Sequence, residues 1–145
     1  MATGTITAYN HLPALLAGGG LDWDTDTIKL ALVSSSYTFS AEHDEWADAS
    51  AYEITGTNYT AGGVTLSNAS ITRSTTTTKL DADDVPFTGL AATFRRGIIY
   101  KPGSGGGLTN PIIASVLFDP TPADVTATAG YPITWSSDGI IKGTL

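Results

Sequence analysis

The stretch Ile28-Lys29-Leu30-Ala31-Leu32-Val33 is the clearest strand in the sequence. It is apolar and contains β-branched residues, and its apolar positions alternate at its start. Ser34-Ser35-Ser36 follow it as a turn signal. This pattern predicts a central strand of a β-sheet.

Short segments of the same type recur along the rest of the chain, and residues suited to turns separate them. Ala61-Gly62-Gly63 and Ser137-Asp138-Gly139 are two of these turn sequences, and the threonine run at 75–78 is expected to be a solvated loop or edge. Seven or eight such strands predict an all-β fold, mainly an antiparallel β-sandwich or barrel-like. The expected strands cover 52–55, 64–72, 82–88, 93–101, 112–118, 125–128, 133–136 and 140–145.

One segment near the start, residues 9–17, has a helical pattern. Leu12, Leu15 and Leu16 share a face, Pro13 is tolerated in a first turn, and three glycines at 18–20 end the pattern. We therefore predict one short N-terminal helix. The polar segment 39–50 is predicted to be a long loop with one helical turn, whose Trp46 folds back on the core.

The parity of apolar residues within each strand predicts the core. Residues of one parity should be largely buried. They are Ile28, Leu30, Leu32, Val64, Leu66, Ile98, Tyr100, Ile113, Leu117, Ile133 and Trp135.

Length and composition limit the classes of function. A chain of 145 residues with 41% hydrophobic residues fits one domain, which we place at residues 10–145 after an N-terminal arm at 1–9. The net charge of −7 argues against a nucleic-acid partner, because phosphate binding needs a clustered basic face. The chain has no cysteine, which removes disulfides and thiol chemistry, and its apolar runs are too short to span a membrane.

The acidic residues offer little basis for catalysis or metal binding. Asp22, Asp24 and Asp26 alternate like the start of a calcium loop, but Thr27 and Val33 replace the glycine and glutamate that such a loop needs. The other acidic group, at 81–84, reads as a solvated strand start, because neighbouring side chains on a strand point to opposite faces. We expect no metal and no cofactor.

Histidine chemistry is equally weak in the sequence. His43 precedes two carboxylates, but the chain has only one other histidine, His11, and the two do not have the His-Glu-x-x-His spacing of zinc sites. No serine stands in a nucleophile elbow. The sequence predicts no enzymatic activity. The remaining enzymatic alternative is a glycan-active or metal-dependent enzyme on a β-sandwich, built on the three aspartates and the His43 loop.

The order of segments resembles the small structural proteins of tailed bacteriophages, particularly the capsid decoration or cement type. The resemblance spans about residues 9–145, and it is carried by 21–33, 43–46, 52–63, 80–85, 97–101 and 133–135 with 139–141. It implies a non-enzymatic protein on the outer surface of the phage head, made in the host cytoplasm. The implied partners are the major capsid protein and further copies of the chain, as a homotrimer. A tail or head-to-tail connector component is the alternative, and a host-surface-binding protein is one form of it.

The N-terminal segment is expected to be an arm that reaches a neighbouring subunit. Its threonines alternate with small or apolar residues, which suits a strand but supplies little apolar surface to hold it on its own core. The expected interface combines this arm with aromatic and basic residues elsewhere. The candidate interface residues are Thr3, Thr5, Ile6, Thr7, Tyr9, Trp46, Tyr59, Arg73, Arg95 and Arg96.

Overall fold

A five-stranded antiparallel sheet, the main sheet, is the centre of the computed structural model, which describes residues 4–144. The all-β prediction is confirmed, because strands dominate and the two helices are short. The strands are β1 (Thr5–Ala8), β2 (Lys29–Val33), β3 (Val64–Thr65), β4 (Ser70–Ser74), β5 (Thr77–Asp81), β6 (Ala92–Phe94), β7 (Arg96–Tyr100), β8 (Ser104–Gly105), β9 (Leu108–Thr109), β10 (Ile112–Leu117), β11 (Val125–Ala127) and β12 (Ile141–Thr144). The strand order in the main sheet is β1-β10-β7-β2-β3.

Both faces of the main sheet are covered by apolar side chains. On one face, Leu30 and Leu32 of β2 and Ile99 of β7 belong to the main core cluster, which also holds Trp23. On the other face, a smaller second cluster contains Tyr9, Ala31, Val33, Tyr37, Ala49, Ile98, Tyr100 and Ile112. Burial on both faces explains why the central strands are continuous apolar runs and do not alternate strictly.

The predicted core is largely confirmed. Nine of the predicted residues are buried, whereas Val64 and Leu117 are half-buried. The assumption of a single buried parity is wrong, because Ala31 and Val33 are buried as completely as Leu30 and Leu32. A register shift between Ile112 and Ala114 also changes which residues of β10 face which cluster.

A second sheet, the small sheet, contains β12, β5 and β4 in that order. Its inner face packs on the main core cluster through Leu80 and Ile141. Two residues, Thr75 and Thr76, join β4 to β5, and Thr75 has a positive φ of 55°. The threonine run is therefore a hairpin turn followed by the start of the small sheet's central strand, which corrects the expectation of a loop or edge for Thr77 and Thr78.

Two short two-stranded sheets complete the set of strands. β6 pairs with β11, and β8 pairs with β9. The glycine-rich segment at 103–107 thus lies in the hairpin that β8 and β9 form. Gly103, Gly106 and Gly107 have positive φ there.

The helices are α1 (Leu12–Ala17) and α2 (Ala47–Ser50). The first confirms the predicted N-terminal helix, with Pro13 in its first turn and its end at Gly18. The second is the single helical turn expected in the polar segment 39–50. Neither of the helices within residues 4–144 is long and apolar enough to span a membrane.

Several predicted strands are shorter than expected. Segments 52–55, 82–88 and 133–136 contribute only isolated bridges, such as Val33–Glu53 and Val85–Ile133. Pro86 within 82–88, and Pro132 directly before 133–136, lack a backbone N–H, which limits ladder formation at these positions. The predicted strands 64–72 and 93–101 each divide in two, the first around Asn68, whose φ is positive, and the second at Arg95.

The described part of the predicted arm is a strand of the main sheet. Thr5 to Ala8 pair with Leu117 to Ala114 of β10, and Thr3 lies outside the described residues. The expectation that this segment cannot hold itself on its own core is therefore wrong. Backbone hydrogen bonds bind it, and Gly4 lies so close to β10 that a Cβ there would meet the Leu117 carbonyl oxygen at 1.8 Å.

Candidate interaction surfaces

An apolar groove of about 590 Å³ separates the N-terminal elements from the small sheet. One wall is the end of β1 with α1, and the other wall is formed by β5 and β12. Leu16 of α1 is 38% exposed there, so the groove presents apolar surface to solvent. The groove is lined by Ala8, Tyr9, Asn10, Leu12, Pro13, Leu16, Thr78, Ile141 and Gly143.

A second exposed apolar position lies at the opposite edge of the small sheet. Ile71 of β4 is directly opposite Leu80 of β5, which is directly opposite Ile141 of β12. Residues paired in this way share one face of a sheet. Leu80 is covered by the main core cluster, but Ile71 lies at the strand edge and is 46% exposed. The small sheet thus has the groove at one edge and Ile71 at the other.

The strand edges beside these two features are open among residues 4–144. β1 is one edge strand of the main sheet, and β4 is one edge strand of the small sheet. Thr5 and Thr7 of β1 are exposed, whereas Ile6 is half-buried against the main core cluster. Of the predicted arm residues, these two threonines are available on the surface.

Tyr9 is not a surface residue, which corrects its place among the interface candidates. Its side chain is 1% exposed, and its hydroxyl hydrogen-bonds with that of Tyr37 at 2.9 Å. Burial raises the pKa of the Tyr9 hydroxyl. The Tyr37 hydroxyl also hydrogen-bonds with Nδ1 of His43 at 2.8 Å. His43 is therefore part of a structural network that extends from the second cluster.

The two other aromatic candidates are half-buried and structurally engaged. Trp46 stacks on Tyr100 with ring centroids 4.9 Å apart, so it packs on the second cluster as predicted. The Tyr59 hydroxyl accepts a hydrogen bond from the Leu32 backbone N–H and donates one to the Glu53 carboxylate. Burial raises the pKa of this hydroxyl.

The three candidate arginines differ in their surroundings. Arg95 pairs with Asp124 at 2.9 Å, and Arg96 lies over the Phe39 ring, where burial lowers its pKa. Arg73 of β4 is exposed and, among residues 4–144, makes no ion pair. Arg73 is therefore the candidate arginine that is free to bind another molecule.

The aspartates considered for metal binding or catalysis form hydrogen bonds and ion pairs that hold the local structure. Asp26 accepts a hydrogen bond from the Asp22 backbone N–H and pairs with Lys101 at 2.9 Å, and both contacts lower its pKa. Asp84 accepts a hydrogen bond from the Trp135 backbone N–H. Within residues 4–144, no group of three or more histidine and carboxylate side chains is placed to hold a metal ion.

Sequence reasoning missed the groove and the exposure of Leu16 and Ile71. Leu16 shares the apolar helix face with Leu12 and Leu15, both of which are buried. Ile71 lay within a predicted strand, and no local pattern shows that the strand is an edge.

Comparison of the chain with family models, with curated proteins and with solved structures found no match.

Proposed function

We propose that this protein is a non-enzymatic structural protein of a tailed-phage virion, a decoration protein that binds the outer head shell and bridges major capsid protein subunits. One observation carries the proposal: the small sheet has exposed apolar features at two opposite edges, the groove with Leu16 and the edge residue Ile71. A protein that joins two neighbours needs two separate contact surfaces. The resemblance of the sequence to decoration proteins supports the same role.

The chemistry of the chain is compatible with this role. Bridging requires contact area and shape, and needs no reactive group. The net charge of −7 disfavours binding to the packaged genome. We further propose that the protein assembles as a homotrimer on the shell. In imaged particles, such a trimer would give density at local three-fold positions, whereas isolated density at hexamer centres would contradict it.

The direct test is co-sedimentation of the purified protein with expanded capsids emptied of DNA. Leu16→Ser and Ile71→Ser should each weaken binding, and the double variant should abolish it. Tyr52→Ser is the matched control, because Tyr52 is a large side chain 40% exposed that lies beside Tyr37, outside both features. Thermal denaturation of each variant checks that the fold is intact.

Two results would overturn the proposal. One is the absence of wild-type protein from sedimented capsids, and the other is equal loss of binding in Tyr52→Ser and the double variant. Recovery of the protein with purified tails would favour the tail or connector alternative.

One observation favours that alternative. A cleft of about 270 Å³ lies beside the stacked rings of Tyr59 and Phe87 and includes the polar side chains of Asn58 and Thr60. Aromatic faces beside amide and hydroxyl groups suit a sugar ring. Binding of host-surface glycans to the wild-type protein, lost in Phe87→Ala, would support a tail protein.

A further inference from the structure

Strand β4 is the most exposed strand in the part of the chain that the structure describes. All five of its residues are exposed, whereas every other strand there includes at least one residue that is buried or half-buried. A strand normally persists because it buries one face. β4 is held by its pairing with β5 alone, and its second edge is open within residues 4–144.

This open edge has few of the features that prevent strand addition. The pairing of β4 with β5 is continuous, with one residue opposite one residue from Ser70 to Ser74, so no bulge interrupts it. The strand contains no proline, and Arg73 is its single charged residue. Protected edges usually carry bulges, prolines or inward charges, and of these β4 has only Arg73, so its edge of about 17 Å can serve as a template for another strand.

The side chains of β4 indicate the chemistry of such a strand. Ile71 extends the inner-face row formed by Ile141 and Leu80, and Arg73 lies on the same face two residues later. An apolar residue opposite Ile71 would continue that row and cover it. A carboxylate opposite Arg73 would give the guanidinium a partner, as Asp81, Asp124, Asp26 and Asp138 do for four other cations of the chain.

We propose that β4 binds an extended segment of another protein as an added antiparallel strand. The segment carries an acidic residue two positions before an apolar residue, because an antiparallel strand meets Arg73 before Ile71. Antiparallel pairing continues the pattern of the small sheet. The assignment of the added segment to the major capsid protein rests on the proposed function. The chemistry expected of the segment rests only on the residues of β4.

The test uses the full-length protein and a labelled peptide, Ser-Thr-Glu-Thr-Ile-Thr-Ser, followed by fluorescence anisotropy. Arg73→Glu should weaken binding about tenfold, because an attractive cross-strand pair becomes repulsive. A peptide with lysine in place of glutamate should regain affinity for Arg73→Glu. Lys142→Glu is the matched control, because Lys142 is an exposed cation at the other edge of the same sheet, and its affinity for the original peptide should stay within about twofold.

Backbone pairing has its own test. Two further peptides carry N-methyl groups on alternate amides, one set on odd and one on even positions. One of the two should lose binding, because only one set of amides faces β4 in an antiparallel pair. Equal binding of both would show that no strand is added and would overturn the proposal.

The remaining outcomes separate this inference from the proposed function. If the peptide binds as expected but the protein ignores capsids, the strand-binding edge stands and the shell is not its donor. If the protein binds capsids, but the peptide does not bind and Arg73→Glu leaves capsid binding unchanged, the inference fails alone. Wild-type dimers that Arg73→Glu disrupts would assign the edge to a second copy and overturn the proposal of another protein.

Discussion

Strands β2 and β4 are both five residues long and both antiparallel, yet their surroundings are opposite. β2, at Lys29–Val33, has four buried residues and strand neighbours on both sides, whereas β4, at Ser70–Ser74, is exposed throughout and has one strand neighbour. The difference follows from composition, since Leu-Ala-Leu-Val supplies apolar surface for two faces and Ser-Ile-Thr-Arg-Ser does not. The length of a strand and its pairing therefore do not indicate how much the strand contributes to the stability of the fold. Burial separates a strand that holds the fold from one that is free to bind.

The largest change in the free energy of unfolding should come from a substitution in β2. Leu30→Ala should lower the free energy of unfolding by about 2–5 kcal/mol, because it leaves a cavity in a fully buried position. Equilibrium denaturation in urea measures the change. A loss below about 0.5 kcal/mol would show that β2 does not hold the core and would break the comparison.

An intermediate effect should come from the hydroxyl that joins β2 to its neighbouring loop. Tyr59→Phe removes the acceptor of the Leu32 N–H and a donor to Glu53, and should cost about 1–3 kcal/mol. Tyr52→Phe is the control, because Tyr52 is exposed and the loss of its hydroxyl should change the free energy of unfolding little. Equal stability of the two variants would mean that water replaces the Tyr59 hydroxyl at no cost.

A smaller effect of opposite sign is expected in the β4–β5 hairpin. Thr75 has a positive φ, which is unfavourable for a β-branched residue, so Thr75→Gly should stabilise the protein by about 1 kcal/mol. Thr76→Gly should not stabilise it, because Thr76 is not among the residues with positive φ. Thermal denaturation compares the two variants. A lower melting temperature for Thr75→Gly would contradict the strained turn.

The smallest effect should come from β4 itself. Ile71→Ala should change the free energy of unfolding by less than about 0.5 kcal/mol, because the side chain is 46% exposed at an open edge. The comparison with Leu30→Ala then separates a strand that holds the core from one that contributes little to stability. A loss of several kcal/mol would show that Ile71 belongs to the core.

The sequence predicted the elements whose local pattern matches their burial. β2, β10 and α1 were found because apolar runs, proline and glycine mark them directly. The location of β5 was missed, because its threonines look like a solvated loop until Leu80 is placed in the core. Burial of both parities in β2 was missed as well, since a single strand does not show that a second cluster, with Tyr9 and Ile98, covers its other face.

The candidate surfaces were less predictable than the fold. Arg73, Thr5 and Thr7 lie on the surface as expected, but Tyr9 is buried, and the groove arises from elements far apart in the chain. Polar composition at 5–8 suggested an arm because apolar contacts were taken as the measure of attachment. Backbone pairing with β10 supplies that attachment without them.

The pairing of β1 with β10 also affects how the protein folds. Thr5 lies opposite Leu117, so β1 has to wait during synthesis until β10, which is distant in sequence, has been made. Pairing across such a sequence distance slows folding, and a strand that waits unpaired is prone to aggregate. The threonines of β1 keep that waiting segment polar. The small number of apolar residues that makes β1 look unattached thus protects the nascent chain until β10 has been made.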